Sequence, residues 1–227
     1  MNETQTSRQA GHSRKAAVIV AHPDDETIWA GGAILMHPEL QWTVIALCRG
    51  GDLDRAPRFM RAIHRLGAVG TMGDLDDGPE QLPLAELDVQ RTIMSLLPER
   101  HYHLILTHGP WGEYTRHRRH EETSRAVAAL WNQGNISATE VWMFAYEDGG
   151  KQYLPRAIET AHQVLNIPDN VWRQKYRIIT EVYGFASDSF EAKAASRKEA
   201  FWCFSSRGTL HEWLITKGVD NENSCSL

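Results

Sequence analysis

The sequence predicts an α/β fold in three layers, in which a mostly parallel sheet is covered by helices on both faces. The first observation is an apolar, β-branched run at 16–21 that stops at a polar cluster, as a strand buried on both faces does. The second is that similar runs alternate with segments of helical spacing along most of the chain. Helices that join parallel strands form right-handed crossovers, so the carboxyl ends of the strands lie along one edge of the sheet.

The first helix and the second strand complete a strand–helix–strand unit with the run at 16–21. The helix is predicted at 27–36, where Gly31 and Gly32 lower the helix propensity but allow the backbone to approach the sheet closely. The second strand is predicted at 42–48, another short apolar run.

Two helices and a strand complete the first half of the chain. An amphipathic helix is predicted at 55–66 and is closed by Gly67, a residue type that commonly ends helices. Another helix is predicted at 85–97, where Pro98 prevents its continuation. The third strand is predicted at 103–107.

The pattern is weaker in the second half of the chain. Helices are predicted at 120–131, 154–165 and 190–204, and strands at 141–146 and 177–185. Aromatic and branched residues favour the strand at 141–146, and alternation favours the one at 177–185. The complete series predicts a Rossmann-like three-layer αβα arrangement, with the active site at the C-terminal ends of the strands.

The length of the chain, 227 residues, is compatible with a single α/β domain. We expect that domain to span 16–217. Polar residues dominate 1–15, which we expect to be a flexible lead-in because it lacks the apolar segment of a signal peptide. The polar residues of 218–227 predict a disordered tail.

Composition and charge argue against several classes of partner. The formal net charge is −5 and the isoelectric point is about 6.1, so a nucleic acid is not an expected partner. No apolar run approaches the roughly 20 residues that span a bilayer, so no membrane helix is expected. The three cysteines, Cys48, Cys203 and Cys225, match neither a disulfide framework nor a metal knuckle, which favours a cytoplasmic protein with reduced thiols. The sequence leaves open whether the chain forms a homo-oligomer.

A histidine and three acidic residues lie where the first strand should end. His22 and Pro23 precede Asp24, Asp25 and Glu26. Adjacent carboxylates repel one another unless a cation neutralises them, and imidazole and carboxylate are ligands for divalent metals such as zinc. Because proline restricts the loop, His22 and Asp25 can face one point while Asp24 points elsewhere. The alternative is a solvated acidic turn that caps the next helix, and the two interpretations are compatible.

A second histidine cluster follows the third predicted strand. If the next helix has already begun there, His117 and His120 share a face and can point into one crevice. Hydrolytic zinc sites use about three protein ligands and leave a position for water, and His22, Asp25 and His120 would form such a set. The alternative is a charged helix start with exposed histidines. Two such clusters at strand ends of one sheet favour a joint metal site.

At these residues the sequence resembles the PIG-L or LmbE-like family of metal-dependent N-acetylglucosaminyl deacetylases. The family's first motif, (A/P)HPDDE after a strand, is complete at 21–26. Its second motif, HxDH after a strand and a loop, is similar to the HRRH of 117–120, where Arg119 stands in place of the usual aspartate. The resemblance is closest between residues 16 and 131.

The resemblance implies an activity and roles for the motif residues. A ligand set for Zn²⁺, or for another divalent metal, is implied at His22, Asp25 and His120. Asp24 would be the general base, and protonated His117 would steady the oxyanion. The implied substrate is a small N-acetylated amino sugar, from which the enzyme removes the acetyl group. Because a positive neighbour lowers the pKa of a histidine, Arg119 is expected to change the tuning of His117.

Three further residues are candidates for substrate binding. Arg49, in the loop after the second strand, is a candidate for holding an anionic or hydroxyl-rich group, and its alternative is a solvated surface position. Trp111 and Tyr114 lie on the loop before the histidine pair, where aromatic rings can stack on a sugar face.

Two other functions stay open on the sequence. One is an amidase that cleaves a larger acyl or conjugate group, which the width of the pocket would distinguish. The other is a non-catalytic, Rossmann-like metal-binding protein. It is favoured because Arg119 replaces the aspartate of the second motif and Phe204 replaces the histidine of a later family motif, in which Arg207 also replaces a glutamine. A protein that only held the metal would not need Asp24. A nucleotide-binding protein is disfavoured because no G-x-G-x-x-G follows the first strand.

Overall fold

The computed structural model describes residues 14–114 and 116–224, and within them a central sheet carries helices on both faces. Five parallel strands are β1 (Lys15–Val20), β2 (Gln41–Cys48), β3 (Val69–Leu75), β4 (His101–Thr107) and β5 (Ser137–Phe144). A small separate sheet follows, formed by β6 (Tyr146–Glu147) and β7 (Arg156–Ala157). The central sheet is extended by β8 (Gln163–Asn166) and β9 (Lys198–Phe204), with β9 antiparallel to both its neighbours. The strand order is β3-β2-β1-β4-β5-β9-β8.

The helices flank this sheet and confirm the predicted three-layer α/β fold. They are α1 (Asp25–Met36), α2 (Arg55–Leu66), α3 (Glu86–Leu96), α4 (Arg118–Gln133), α5 (Asp169–Arg177), α6 (Phe190–Ala194) and α7 (Arg207–Ser224). A π-helical turn, Ile178–Val182, continues α5. Among the described residues, no helix has the length and apolarity needed to cross a membrane.

Each face of the sheet buries its own apolar cluster. Along β1, Ala16, Val18 and Val20 pack with residues of α1, α2 and the π-helical turn. Ala17 and Ile19 face the other way and pack with residues of α3, α4 and α7. All five side chains are fully buried, as the unbroken apolar run of β1 predicts for a central strand.

The glycine pair of α1 permits close packing against the C-terminal part of the chain. A Cβ atom on Gly32 would lie 2.5 Å from Cδ1 of Ile167 and 2.9 Å from Oε1 of Glu199. The backbone N–H groups of Gly32 and Ala33 each donate to the Glu199 carboxylate at 2.7 Å. The close approach that the glycines predict is therefore confirmed, and its partner in the sheet is β9.

The elements up to α4 follow the prediction closely, apart from β3, which the sequence does not predict. This strand contains Gly70 and Gly73, lacks a long apolar run and lies at the edge of the sheet, where its residues are only partly buried or exposed. The signal of a buried strand is therefore absent from its sequence.

Two predicted elements in the second half are wrong in type. The helix predicted at 154–165 is replaced by β7 and β8, which have two and four residues and are too short to show a periodic pattern. The strand predicted at 177–185 is the end of α5 and the π-helical turn. The consecutive residues Ile178 and Ile179 are both buried. This is possible because a helical turn packed in the core can bury two of its faces.

The helix predicted at 190–204 is correct only for its first residues, which form α6. The rest includes β9, because its apolar residues pair with β5 on one side and β8 on the other. Since β5 and β8 are distant in sequence, local spacing does not reveal this pairing.

The tail predicted to be disordered at 218–227 needs correction, because α7 continues to Ser224. Trp213 and Leu214 pack against the core cluster beneath β4 and β5 and hold this helix on the domain. The last three residues and residues 1–13 of the predicted lead-in lie outside the described residues. A single domain over 16–217 stays a prediction.

The sheet has a switch point between β1 and β4. These strands are neighbours, but β1 leads outward to β2 on one side and β4 leads to β5 on the other. In open α/β sheets a crevice forms at this point, outside the carboxyl ends of the strands. The two histidine clusters follow β1 and β4, so the fold brings them to the same crevice.

Candidate active site and metal centre

A cavity of about 150 Å³ lies at the carboxyl edge of the sheet, beside the switch point. His22, Asp24 and Asp25 line it from the loop after β1 and the start of α1. His117 lines it from the start of α4, and His120 is fully buried beside it. The structure thus brings together both clusters that the sequence predicts.

Three ligand atoms form a compact triangle at the base of this cavity. Nδ1 of His22 lies 3.1 Å from Oδ2 of Asp25 and 3.2 Å from Nε2 of His120, and the last two atoms are 3.3 Å apart. A tetrahedral zinc ion with bonds of about 2.0–2.1 Å needs ligand atoms about 3.3 Å from one another. The three atoms therefore fit one divalent metal, with one coordination position left over.

Each of these three side chains is held at its outer end by a further group. Nε2 of His22 lies 3.1 Å from Oδ1 of Asp77, and Oδ1 of Asp25 accepts from Nε1 of Trp29 at 3.0 Å. His120 donates from Nδ1 to Oε2 of Glu113 at 2.5 Å. Such outer contacts fix the tautomers of ligating histidines, and here they leave Nδ1 of His22 and Nε2 of His120 free to bind the metal.

Glu113 and His108 are site residues that the sequence analysis does not identify. Both are fully buried, and Oε2 of Glu113 accepts from Nδ1 of His108 at 2.8 Å as well as from His120. Nε2 of His108 accepts the backbone N–H of Ala21 at 2.9 Å, so it supports the loop instead of binding metal. Burial opposes ionisation of Glu113, but His108 and His120 lower its pKa to about 2. The sequence offers one signal for Glu113: it is an acidic residue five positions after a histidine at the end of a strand.

Asp77 is the third missed residue, and it links the metal site to Arg49. Its Oδ1 contacts His22, while its Oδ2 accepts from Nε of Arg49 at 2.9 Å. Burial would raise the pKa of Asp77, but the hydrogen bonds from His22 and Gln81 and the charge of Arg49 hold it below its ordinary value. Its only sequence signal is an acidic turn after an edge strand.

Asp24 sits beside the three ligand atoms in a strained backbone conformation. Its φ is 117° and its ψ is −30°, a region that non-glycine residues seldom adopt. Its carboxylate makes no capping bond to α1 and accepts instead from Nη1 of Arg55 at 3.0 Å. Burial raises the pKa of Asp24 well above its ordinary value, with Asp25 and Glu26 adding to the rise and Arg55 opposing it. A raised pKa suits a carboxylate that must take up a proton near neutral pH.

Glu26 lies in the first turn of α1 and is fully buried. Its Oε2 accepts the backbone N–H of Asp24 at 3.0 Å, and its Oε1 accepts the hydroxyls of Thr27 and Tyr183, the latter at 2.8 Å. Burial raises the pKa of Glu26 to about 7, although these hydrogen bonds lower it. Glu26 therefore holds the strained backbone of Asp24 from beneath.

His117 lies against the rings of His22 and His120, and its surroundings bear on two expectations about its charge. Its ring centroid is 4.7 Å from that of His22 and 4.4 Å from that of His120. Burial, then His120 and His22, lower the pKa of His117 to about 3, so the resting side chain is neutral and not protonated. Arg119 is not among the causes, because its guanidinium points to the carbonyl oxygens of Asp76 and Leu82.

Two of the three predicted substrate-binding residues lie at the cavity, and the third does not. Arg49 and Tyr114 line the cavity, and Tyr114 forms an aromatic wall with Phe190 at a centroid distance of 5.0 Å. Trp111 is not at the cavity wall; it packs on Trp213 of α7 at 5.4 Å. Phe190 was not predicted, because it comes from α6, far along the chain.

Replacing Glu113 with glutamine is expected to weaken zinc binding by about 10–100-fold. Both imidazoles donate to the same oxygen of Glu113, Oε2, while Oε1 accepts the backbone N–H of Gly109 at 2.8 Å. Glutamine has only one acceptor oxygen, so its NH₂ group would face either the two imidazole N–H groups or the N–H of Gly109. Zinc affinity measured by competition with a chromophoric chelator tests this. Glu121→Gln is the control, because Glu121 is next to His120 on α4 but pairs with Arg116. An affinity equal to that of the control would show that Glu113 does not hold His120 for the metal.

Comparison with known proteins gives relatives at low identity. No protein-family model matches the chain. An uncharacterized protein, L374 of Acanthamoeba polyphaga mimivirus, is 22% identical over 178 residues, which cover 71% of this chain and 75% of that protein.

Several solved structures share the fold at TM-scores above 0.5. N,N'-diacetylchitobiose deacetylase from Pyrococcus horikoshii is 17% identical, with a TM-score of 0.59 over 85% of this chain and 84% of that one. The zinc-inhibited form of teicoplanin deacetylase Orf2 is 14% identical, with a TM-score of 0.61 over 85% of this chain and 98% of that one. GalB, the 4-carboxy-2-hydroxymuconate hydratase of Pseudomonas putida, is 20% identical, with a TM-score of 0.56 over 81% of this chain and 83% of that one.

The arrangement can hold a divalent cation, place a buried carboxylate beside it and offer a neutral imidazole on the other side. These are the parts that hydrolysis of an unreactive amide requires. The predicted resemblance is supported at the level of the fold, because several of the structural neighbours are deacetylases. The chain has the fold of the deacetylases whose motifs its sequence resembles.

Proposed function

We propose that the chain is a zinc-dependent hydrolase that removes the acetyl group from the nitrogen of an N-acetylated amino sugar. The observation that carries this proposal is the triangle formed by His22, Asp25 and His120, with edges of 3.1–3.3 Å, beside the carboxylate of Asp24. Two imidazole nitrogens and one carboxylate oxygen are a donor set that suits zinc and leaves a position open.

A bound divalent metal supplies a Lewis acid that polarises the amide carbonyl and makes water a better nucleophile near neutral pH. Asp24 takes the proton of the attacking water, and Arg55 keeps its carboxylate in place at 3.0 Å. The same carboxyl group then delivers that proton to the departing amine nitrogen. This delivery falls to Asp24 because the low pKa of His117 makes that side chain a poor proton donor.

His117 contributes as a neutral hydrogen-bond donor to the carbonyl oxygen, on which negative charge develops. Its Nδ1 is buried and has no hydrogen-bond partner among the residues that the structure describes. His117 also lines the cavity, and one donor aimed at a developing oxyanion commonly contributes about 2.7–4 kcal/mol.

The cavity supports removal of a small acyl group. Its volume of about 150 Å³ is below the roughly 300–1,000 Å³ of pockets that enclose drug-sized ligands. An acetyl group fits such a space, which favours it over the larger acyl chain of the alternative amidase. Tyr114 and Phe190 offer aromatic faces to an apolar ring surface, and the half-exposed Arg49 offers N–H donors to hydroxyl or anionic groups.

The decisive experiment measures acetate release from a panel of N-acetylated sugars, with zinc quantified in the same preparation. We expect release from at least one N-acetylated amino sugar, dependence on zinc, and no release from the matching N-octanoyl compounds. Because a hydratase shares this fold, hydration of an unsaturated carboxylic acid is assayed in parallel. Bound zinc without turnover of any amide would favour the non-catalytic metal-binding alternative, and hydration without deacetylation would replace the proposal.

A further inference from the structure

Arg119 stands where the resembling family has an aspartate, and its contacts give it a different task. Its side chain is 2% exposed, and its guanidinium bonds to a loop on the other side of the site. That loop, residues 76–84, connects β3 to α3 and contains no regular helix or strand. It also carries Asp77, the group that contacts Nε2 of His22.

The guanidinium of Arg119 binds the loop at two backbone positions. Its Nε donates to the carbonyl oxygen of Asp76 at 2.6 Å, and its Nη2 donates to the carbonyl oxygen of Leu82 at 2.9 Å. The first of these carbonyls belongs to the peptide bond that joins Asp76 to Asp77. A displacement of that peptide therefore moves the carboxylate that contacts His22.

Glu122, one turn further along α4, completes this clamp. Its Oε2 accepts from Nη1 of Arg119 at 2.6 Å, and its Oε1 accepts the backbone N–H of Leu84 at 3.0 Å. Both side chains are nearly fully buried, at 2% and 4% exposure. An aspartate at 119 could not make these bonds, because a carboxylate cannot donate to the two loop carbonyls and would lie beside the buried Glu122.

We propose that Arg119 is a positioning residue for the metal site, which holds the 76–84 loop so that Asp77 fixes the orientation and tautomer of His22. This inference rests on the proposed metal site but not on the identity of the substrate. It describes a series of contacts from α4 through a loop to a ligand, and Arg119 itself touches neither metal nor substrate.

The test is a double-mutant cycle read by zinc affinity on the full chain, using competition with a chromophoric chelator. Arg119→Gln and Asp77→Asn are each expected to weaken zinc binding by about 10–100-fold, as removal of outer-shell support does. The double variant is expected to bind no more weakly than the worse single variant, because both substitutions act through the same contact to His22. Arg119→Lys should restore only part of the affinity, since an ammonium lacks the planar fork that reaches both carbonyls.

Arg125→Gln is the matched control, because Arg125 lies on the same helix, is exposed, and only approaches Glu86 at 3.9 Å. Its zinc affinity should equal that of the unaltered chain. A purely structural role for Arg119 would lower the melting temperature with unchanged zinc affinity, or give losses that multiply in the double variant, and either result overturns the proposal. If Arg119→Gln does not fold, the cycle is run with Arg119→Lys. Losses of zinc affinity that multiply in the double variant again overturn the proposal. This test measures zinc affinity and no turnover, so its result can be interpreted even if the chain is not a deacetylase.

Discussion

Replacing Asp24 with asparagine is expected to lower kcat for amide hydrolysis by about 10²–10⁴-fold, while zinc stays bound. The amide cannot take up the proton of the attacking water, which removes general-base catalysis. Zinc is retained because the three ligand atoms come from His22, Asp25 and His120, and the Asp24 carboxylate bonds to Arg55 instead. The readouts are acetate release and zinc content of the same preparation.

The substitution is expected to leave the fold intact, which makes the readout specific. Asparagine is among the few non-glycine residues that adopt positive φ with comparative ease, so it can occupy the 117° conformation of this position. Asp54→Asn is the control, because this carboxylate is 67% exposed and pairs with Arg58 on α2. Loss of zinc from the Asp24 variant would reassign Asp24 as a ligand, and an unchanged kcat would assign proton transfer to another group.

The first half of the fold could be predicted because its elements are locally determined. β1 and β2 are continuous apolar runs buried on both faces, and α2 ends at Gly67 in the left-handed conformation that glycine favours. β9, in contrast, owes its position to pairing with β5 and β8 from distant parts of the chain. Only tertiary contacts decide between a strand and a helix for such a segment.

The juxtaposition of His22, Asp25 and His120 could be predicted for the same reason, and the groups that contact them from outside the motifs could not. His22, Asp25 and His120 stand in short motifs at strand ends, where position and residue type both indicate chemistry. Asp77 and Glu113 lie in irregular loops outside the motifs. Their importance comes from contacts to the motif histidines, at 3.1 Å to His22 and 2.5 Å to His120.

Arg119 shows how a residue that departs from a motif can make contacts that the motif residue could not. The sequence predicts that its positive charge lowers the pKa of His117, two positions before it. In the structure its side chain is directed to the 76–84 loop, where it makes a structural and positioning contact. Residue type predicts the charge of a side chain, but only the fold determines which neighbouring groups the charged atoms contact.

The largest expected loss of stability comes from replacing Lys175 with methionine. Nζ of Lys175 lies 2.7 Å from Oε1 of Glu199, and neither side chain is exposed to solvent. Methionine would leave the buried Glu199 carboxylate with only two backbone donors, those of Gly32 and Ala33. Removing one partner of a buried ion pair typically lowers the free energy of unfolding by about 3–5 kcal/mol. Urea denaturation followed by circular dichroism measures this change.

A second substitution separates the cost of an unpaired charge from the cost of a lost contact. In Lys175→Met combined with Glu199→Gln the charges of this pair are both removed. The amide oxygen can accept from one of the two N–H groups of α1 while the NH₂ group faces the other, so we expect only part of the lost stability to return. The control is Arg173→Gln on the same helix, because Arg173 and Asp169 form an exposed pair at 3.7 Å whose loss should cost at most about 1 kcal/mol. If Lys175→Met costs no more than this control, the Lys175–Glu199 pair does not stabilise the contact of α5 with β9. If the double variant is less stable than the single one, the penalty lies in packing and not in the stranded carboxylate.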